Sequence, residues 1–304
     1  MSLCEDENTG NLCNAADEYH QLGNLAYLQR QFEKARQYYL KAVKILEDTG
    51  DLSNAADEYH QLGNIAFTQQ QFELAKEYYF KALKIREDMG DFSNAAEEYH
   101  LLGMVVEEQE QFELAKEYYF KALKIRQDVG DLCNAADEYH QLGNVAYLQE
   151  QFDLAEEYYL KALKIRQDVG DLSKIASECH QLGMVAQSQR KFEDAVDYYQ
   201  KAFGVYQKSQ DWYWVSQTLF KLGKVLEAQS NFSEALTVYI EAITIDIERN
   251  QDWIEEDIHN LARMLEVLSE DQFDRIWRNV KGEECAGELR ETIWAARHQL
   301  DTQS

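Results

Sequence analysis

Five histidines recur at a spacing of forty residues, and an acid precedes most of them by three. The histidines are His20, His60, His100, His140 and His180, and the acids are Asp17, Asp57, Glu97 and Asp137. A carboxylate and an imidazole at i and i+3 share one helix face, as metal ligands of helical bundles do. Equivalent helices of stacked repeats lie about 9 to 10 Å apart, whereas zinc needs nitrogen at about 2.0 to 2.1 Å. We therefore expect no metal or other cofactor, and interpret the row as solvated histidines paired with these acids and raised in pKa.

The short motifs of common catalytic sites are missing from the sequence. It contains no G-x-x-x-x-G-K-[ST] loop, H-E-x-x-H helix, G-x-S-x-G elbow or G-x-G-x-x-G loop. Cys179 and His180 are adjacent, so their side chains diverge by about 100° on a helix and cannot act as nucleophile and base. We therefore predict that the chain is not an enzyme.

A second recurrent position carries a side-chain amide four residues after the histidine. The amides are Asn24, Asn64 and Asn144, and the aromatic residues that follow them by three are Tyr27, Phe67 and Tyr147. A primary amide both donates and accepts hydrogen bonds, so a row of amides can bind the N–H and C=O groups of an extended peptide. The aromatic rings would add apolar contact area. The alternative is that the asparagines form only helix-to-helix hydrogen bonds.

The composition indicates a helical and strongly acidic protein. The 304 residues include no proline and carry a formal net charge of −26. Because proline interrupts helix interiors, its absence favours long helices. The negative charge disfavours nucleic acid and anionic membranes as partners and favours a basic or amphipathic protein segment. With no apolar run of membrane-spanning length, no signal peptide and no C-x-x-C among five cysteines, we expect a cytoplasmic protein.

The forty-residue spacing extends over most of the chain. The segment NAADEYHQLGN stands at 14–24, 54–64 and 134–144, and QFELAKEYYFKALKIR stands at 71–86 and 111–126. Glycines that follow leucine inside a helical pattern indicate close approach of two helices. The glycines at Gly10, Gly50 and each later repeat are typical of helix ends, with the next aspartate or serine as an N-cap. Each unit is thus predicted to be two helices, which bury their apolar faces by stacking.

The repeat resembles the tetratricopeptide repeat (TPR). The signature residues of the first unit are Leu22, Gly23, Ala26, Phe32, Ala35, Tyr39 and Ala42. The units lack the closing proline of the signature and are about six residues longer than usual. They are similar to the subclass found in Pins/LGN, in kinesin light chains and in the TPR regions of prokaryotic signalling ATPases and caspase-like proteins. The resemblance implies an all-α fold, a right-handed superhelical solenoid of helix-turn-helix repeats with a C-terminal helical cap.

Three regions are predicted along the chain. Residues 1–10 align with the end of a second helix, and we expect them to be the tail of a preceding repeat or the end of a cut segment. Residues 11–250 form six TPR units of 40 residues. Residues 251–304 form C-terminal capping helices, because the register slips by one residue near Leu261 and Ser269 begins a capping box with Gln272.

The resemblance implies that the first helix of each unit lines a concave groove. The residues predicted to face the groove are His20, Asn24, Tyr27, His60, Asn64, Phe67, His100, Met104, Glu107, Glu108, His140, Asn144, Tyr147, His180, Met184 and Lys224. Specificity is expected where the asparagine row is interrupted, at Met104, Met184 and Lys224. The lysine-rich carboxylate clamp of other TPR proteins is absent from these positions.

These observations predict a non-catalytic scaffold or sensor that binds an extended, basic or amphipathic protein segment in its groove. Its place in a larger signalling protein rests on the resemblance alone. The alternative function is a self-assembling structural scaffold that stacks through exposed solenoid ends, with an uncapped N-terminal end as the contact.

Overall fold

The computed structural model describes residues 2–249 and 254–301, and over these residues the chain forms fifteen α-helices. The predicted all-α fold of paired helices with additional C-terminal helices is confirmed. None of the described helices has both the length and the apolar character needed to cross a membrane. The chain divides into two compact units, Met1–Gln149 and Glu150–Ser304. The predicted boundary between residues 250 and 251 lies outside the described residues.

The first unit contains seven helices. They are α1 (Ser2–Leu28), α2 (Phe32–Thr49), α3 (Leu52–Thr68), α4 (Phe72–Met89), α5 (Phe92–Glu108), α6 (Phe112–Asp128) and α7 (Leu132–Leu148). Helices α1, α3 and α5 each pair with the helix that follows, and each second helix also packs on the next first helix. This alternation lets a second helix bury apolar side chains on two sides.

The second unit contains eight helices. They are α8 (Phe152–Val169), α9 (Leu172–Ser188), α10 (Phe192–Ser209), α11 (Trp212–Ala228), α12 (Phe232–Arg249), α13 (Ile254–Val267), α14 (Glu270–Lys281) and α15 (Gly287–Asp301). Helices α13 and α14 pack on α12, and α15 packs on α13. Phe273 and Trp277 of α14 join a core cluster with Tyr239 and Ile243 of α12. The predicted capping box of Ser269 and Gln272 begins α14.

The helix ends follow the predicted local signals at most repeats. Gly50, Gly90, Gly130 and Gly170 have φ between 74° and 77°, a left-handed conformation that glycine adopts at low cost after a helix. The next aspartate caps the following helix, and Asp51 accepts a hydrogen bond from the backbone N–H of Asn54 at 3.3 Å. At Gly10 the predicted helix end is wrong, because α1 continues through this residue from Ser2 to Leu28.

Close helix pairing at the glycine after leucine is confirmed. A Cβ atom added to Gly63 would lie 2.4 Å from Cε1 of Tyr79, and one added to Gly103 would lie 2.6 Å from Cε1 of Tyr119. Both tyrosines are almost completely buried. The missing side chain therefore makes room for a tyrosine ring, and the hydroxyl group of Tyr79 reaches Asn64, the residue after Gly63.

Candidate functional site

In the first unit, the predicted groove residues lie on one face of α1, α3, α5 and α7. We call this the first-helix face and define it by the histidine, the asparagine or methionine, and the following aromatic or acidic residue of each helix. On α3 these are His60, Asn64 and Phe67, and all three are half-buried. Their counterparts on the other three helices are also half-buried, whereas Glu108 is exposed. The side chains are therefore both held in place and partly accessible to a ligand.

The histidines of this face pair with a glutamate of the next repeat. The Nδ1 to Oε1 distances are 2.6 Å for His20 and Glu58, 2.8 Å for His60 and Glu98, and 2.9 Å for His100 and Glu138. Each pair joins two successive first helices, and the three glutamates are 0 to 3% exposed. The predicted pairing of these histidines with Asp17, Asp57 and Glu97 is wrong.

Two of the acids that were predicted to pair with the histidines, Asp57 and Glu97, pair instead with arginines of the second helices. Arg86 donates to Asp57 at 2.9 Å and to the buried Glu98 at 2.6 Å. Arg126 donates in the same way to Glu97 at 2.7 Å and to Glu138 at 2.5 Å. The arginine thus compensates the charge of a carboxylate that has lost its water.

Sequence reasoning missed these glutamates and arginines because it considered only pairs within one helix. A signal was present, since Glu58, Glu98, Glu138 and Glu178 recur at forty residues, and Arg86, Arg126 and Arg166 recur at the same spacing. Opposite charges that recur at two fixed positions of the repeat indicate a repeated ion pair. In the second unit Arg166 and Glu178 form it at 2.8 Å.

The first repeat departs from this network. Leu46 occupies the position of Arg86 and Arg126, so Glu58 pairs with His20 and has no arginine at this position. Burial raises the pKa of Glu58 to about 7, and the charge of His20 only partly opposes this effect. Burial also disfavours the charged form of His100, but the hydrogen bond and charge of Glu138 outweigh it and raise the pKa of His100.

Asn24 and Asn64 accept hydrogen bonds from buried tyrosines. Tyr39 Oη donates to Asn24 Oδ1 at 2.7 Å, and Tyr79 Oη donates to Asn64 Oδ1 at 2.8 Å. The Asn24 amide nitrogen also lies 2.8 Å from Nε2 of His20. Helix-to-helix bonding, the alternative raised by the sequence, therefore accounts for the carbonyl oxygen of both amides. Among the described residues, the amide nitrogen of Asn64 has no hydrogen-bond partner.

Where the asparagine is replaced, the acceptor for the tyrosine moves three residues along the helix. Tyr119 donates to Glu107 Oε2 at 2.6 Å in the repeat with Met104. In the second unit, Tyr199 donates to Gln187 at 3.1 Å in the repeat with Met184, and Tyr239 donates to Glu227 in the repeat with Lys224. The hydroxyl groups of these three tyrosines are thus satisfied, which explains why Glu107 is half-buried at a position that is aromatic in the other three repeats of the first unit.

A polar pocket opens between α5, α6 and α7. It has a volume of about 240 Å³ and is lined by Glu97, His100, Arg126, Asn134, Asp137, His140 and Gln141. The pocket contains both signs of charge and both imidazole rings of two successive histidine positions. It is large enough for a polar side chain of a bound segment.

In the second unit, His180 does not have the environment of the other histidines. It is 5% exposed, and its ring centroid lies 5.5 Å from those of Tyr199 and Trp214. Thr218 replaces the glutamate, with Oγ1 at 3.2 Å from Nδ1. Burial lowers the pKa of His180 to about 4, so the expected rise does not apply to this histidine.

Lys224 and Met184 of the second unit are half-buried. Lys224 Nζ donates to Asn260 Oδ1 of α13 at 2.9 Å, and burial lowers its pKa. Over the residues whose side chains the structure describes, no three His, Cys, Asp or Glu side chains are grouped as a metal ion would require.

Two family models match the sequence. The model of the soluble NSF attachment protein, SNAP, matches residues 6–161, just over half of the chain, and a tetratricopeptide repeat model matches residues 174–248. A comparison with curated proteins gives no match. The two matched ranges together include the first-helix face and most of the repeats of the second unit.

Several solved structures are similar in fold at low sequence identity. BtubC (BKLC) from P. vanneervenii is 21% identical with a TM-score of 0.62, over 81% of this chain and 92% of that one. The apo form of RapI is 17% identical with a TM-score of 0.67, over 91% and 98%. A STAND protein with a tetratricopeptide repeat sensor from Pyrococcus horikoshii is 19% identical with a TM-score of 0.72, over 97% of this chain and 45% of that one. At these identities the likeness establishes the fold.

Proposed function

This chain belongs to the SNAP-like family of tetratricopeptide-repeat proteins, and we propose that it binds an extended protein segment along its first-helix face. TPR domains generally bind proteins and are typically non-catalytic. We propose the same for this chain, since the histidines and acids on the face are engaged with one another and not arranged around a nucleophile.

The single observation that carries the proposal is the environment of Asn64. Its carbonyl oxygen is held by Tyr79, which fixes the orientation of the amide plane and leaves the NH₂ group as a positioned donor. A donor that is ordered before binding loses little entropy when it meets a backbone carbonyl. Phe67 lies three residues further, held against Phe72 at a centroid distance of 6.1 Å, and supplies apolar area beside the donor.

The charge of the chain determines which segment suits this face. The net charge is −26, and the half-buried Glu107 and exposed Glu108 add acids at the centre of the first unit. A basic or amphipathic segment would be attracted by this field, and its association would slow as salt screens it over a Debye length of about 8 Å at 0.15 M. An acidic segment would be repelled.

A role within a larger signalling protein is the finer part of the proposal. The protein from Pyrococcus horikoshii is described as a signal transduction ATPase with a tetratricopeptide repeat sensor, and this chain corresponds to less than half of it. By analogy of fold, this chain is proposed to be the sensor of such a protein, in which occupation of the first-helix face is the signal.

The experiment is selection of peptides from a displayed random library on the full chain, followed by affinity measurement. We expect basic, extended peptides whose affinity falls at least tenfold in Phe67→Ala. Asn64→Asp keeps an acceptor for Tyr79 but removes the amide donors, and it should also weaken binding when the affinity is measured at high salt, where the added charge is screened. The matched control is Phe92→Ala, since Phe92 is 55% exposed at the start of α5 and away from the face. Selected peptides that bind Phe67→Ala and wild type equally would contradict the proposal.

A further inference from the structure

Helix α1 exposes a face that the other first helices bury. Residues 14–24 of α1 are identical to residues 54–64 of α3 and 134–144 of α7. Yet Leu22 is 42% exposed and Leu25 is 53% exposed, whereas Leu62 and Ile65 at the same positions of α3 are 1% exposed. The same sequence therefore has a buried and an uncovered form in one protein.

The buried forms show what covers this face. Helix α7 packs on α6, and α5 packs on α4. Arg126 of α6 donates to the carbonyl oxygen of Asn134 at 3.1 Å and to Glu138 at 2.5 Å. Arg86 of α4 makes the same two contacts with Asn94 and Glu98. Beside each arginine, the leucine three residues earlier and the alanine four residues earlier are buried.

The uncovered face of α1 carries the matching groups. Glu18 is exposed at the position of the buried Glu138, and Asn14 stands at the position of Asn134. Within the part of the chain that the structure describes, Glu18 has no ion-pair partner. Two exposed leucines and an acid that is elsewhere bound to arginine make this face complementary to a basic amphipathic helix.

We propose that the face of α1 formed by Glu18, Leu22 and Leu25 binds an amphipathic helix with an Ala-Leu-x-x-Arg stripe, whose arginine pairs with Glu18. The site is distinct from the first-helix face, so the inference does not depend on the groove proposal. The helix comes from outside the described residues, because the comparable helices of both units are already covered. Helices α2, α4 and α6 are covered by the next first helix in the first unit, and α8, α10 and α12 are covered in the second.

The probe for this site is a fluorescent peptide of residues 111–130, the helix α6 with its flanks. Short isolated helices are marginal in water, so a lactam joins the exposed Lys124 and Asp128, and circular dichroism confirms helicity before use. Anisotropy titration with the full chain should give saturable binding. Arg126→Leu in the peptide should weaken it at least tenfold, because the arginine can no longer pair with Glu18.

Variants of the full chain locate the site. Leu25→Glu should weaken binding at least tenfold, while Leu148→Glu should not, since Leu148 is similarly exposed but lies on α7. Both residues are exposed, so neither variant should lower the melting temperature. The exchange of charges, Glu18→Arg with the Arg126→Glu peptide, should restore binding lost in either single change.

Three results would overturn the inference. The first is absence of saturable binding by the helical peptide, and the second is binding that Leu25→Glu leaves unchanged. The third is a dimer of the wild-type chain in light scattering that Leu25→Glu abolishes, because the face would then be covered by a second copy of the chain.

Discussion

At the scale of single residues, the first unit depends on buried carboxylates that are compensated across repeats. Glu98 and Glu138 each contact an arginine of the preceding second helix and a histidine of the preceding first helix. Each such carboxylate is stable in the interior only while its partners remain. The position occupied by Leu46 shows one natural exception, in which the buried Glu58 pairs with His20 and has no arginine at this position.

We expect Arg86→Leu to destabilise the protein strongly. The change leaves Glu98 buried without its arginine, which typically costs about 3 to 5 kcal/mol. The reverse change, Leu46→Arg, places a guanidinium near Glu58 and should leave stability unchanged or higher. Urea denaturation of both variants measures this, and a loss in Arg86→Leu of less than about 1 kcal/mol would contradict the account.

Two histidines at equivalent positions should titrate in opposite directions. The pKa of His100 lies above its ordinary value of about 6.5 and that of His180 lies near 4. His100 therefore adds stability below pH 6.5 that is lost as the pH rises through its folded pKa. At His180 the effect is reversed, and stability falls as the pH falls from about 6.5 to 4. The unfolded chain binds a proton over this range, whereas the buried imidazole stays neutral. NMR titration of the ring signals checks both, and equal pKa values would be inconsistent with the observed contacts.

At the scale of helices, packing depends on the tyrosine that fills the space beside each glycine. Gly63→Ala would bring a methyl group to 2.4 Å from the Tyr79 ring. Overpacking of this kind typically costs about 1 to 3 kcal/mol. The matched control is Gly204→Ala in α10, where no atom lies within 4 Å of the added Cβ, and where alanine should stabilise the helix by up to about 1 kcal/mol. Thermal unfolding that ranks the two variants in the opposite order would refute this explanation.

Between α12 and α13, two aspartates stand in contact where the earlier repeats have an arginine–glutamate ion pair. Asp246 stands at the repeat position of Arg86, accepts a hydrogen bond from Ser216 at 2.7 Å and contacts Asp257, and both aspartates are nearly fully buried. Burial, the hydrogen bond and the charge of Asp246 raise the pKa of Asp257 to about 8. Because the folded pKa is above the unfolded value of about 3.9, stability is lost as the pH rises from about 4 to 8.

Asp257→Asn should remove this loss. At pH 8 we expect a higher free energy of unfolding than in wild type, with a scale of about 1.4 kcal/mol per unit of pKa shift, and little difference below pH 4. The control is Glu255→Gln, a change of the same kind two residues away at an exposed residue. Denaturation at several pH values provides the measurement, and lower stability of Asp257→Asn at pH 8 would contradict the interpretation.

At the scale of the whole molecule, the sequence was sufficient for the fold. The forty-residue period places the helices, and Gly50 and Asp51 indicate where one helix ends and the next begins. The spacing of three residues also predicted that Asn64 and Phe67 lie on one helix face. The pairing of Glu58 with His20 was not predicted, because these two residues meet through the stacking of two repeats and not through spacing within one helix. The role of Asn64 as acceptor for Tyr79 depends on the same tertiary packing.

Hydrogen–deuterium exchange of the full chain with and without a selected basic peptide tests the central claim most directly. If the segment lies along the first-helix face, amide protection should increase in α3, α5 and α7, around Asn64, Met104 and Asn144, and should change little in α4 and α6. Protection confined to α4 and α6, or absent from the first helices, would contradict the proposed binding of an extended segment along this face.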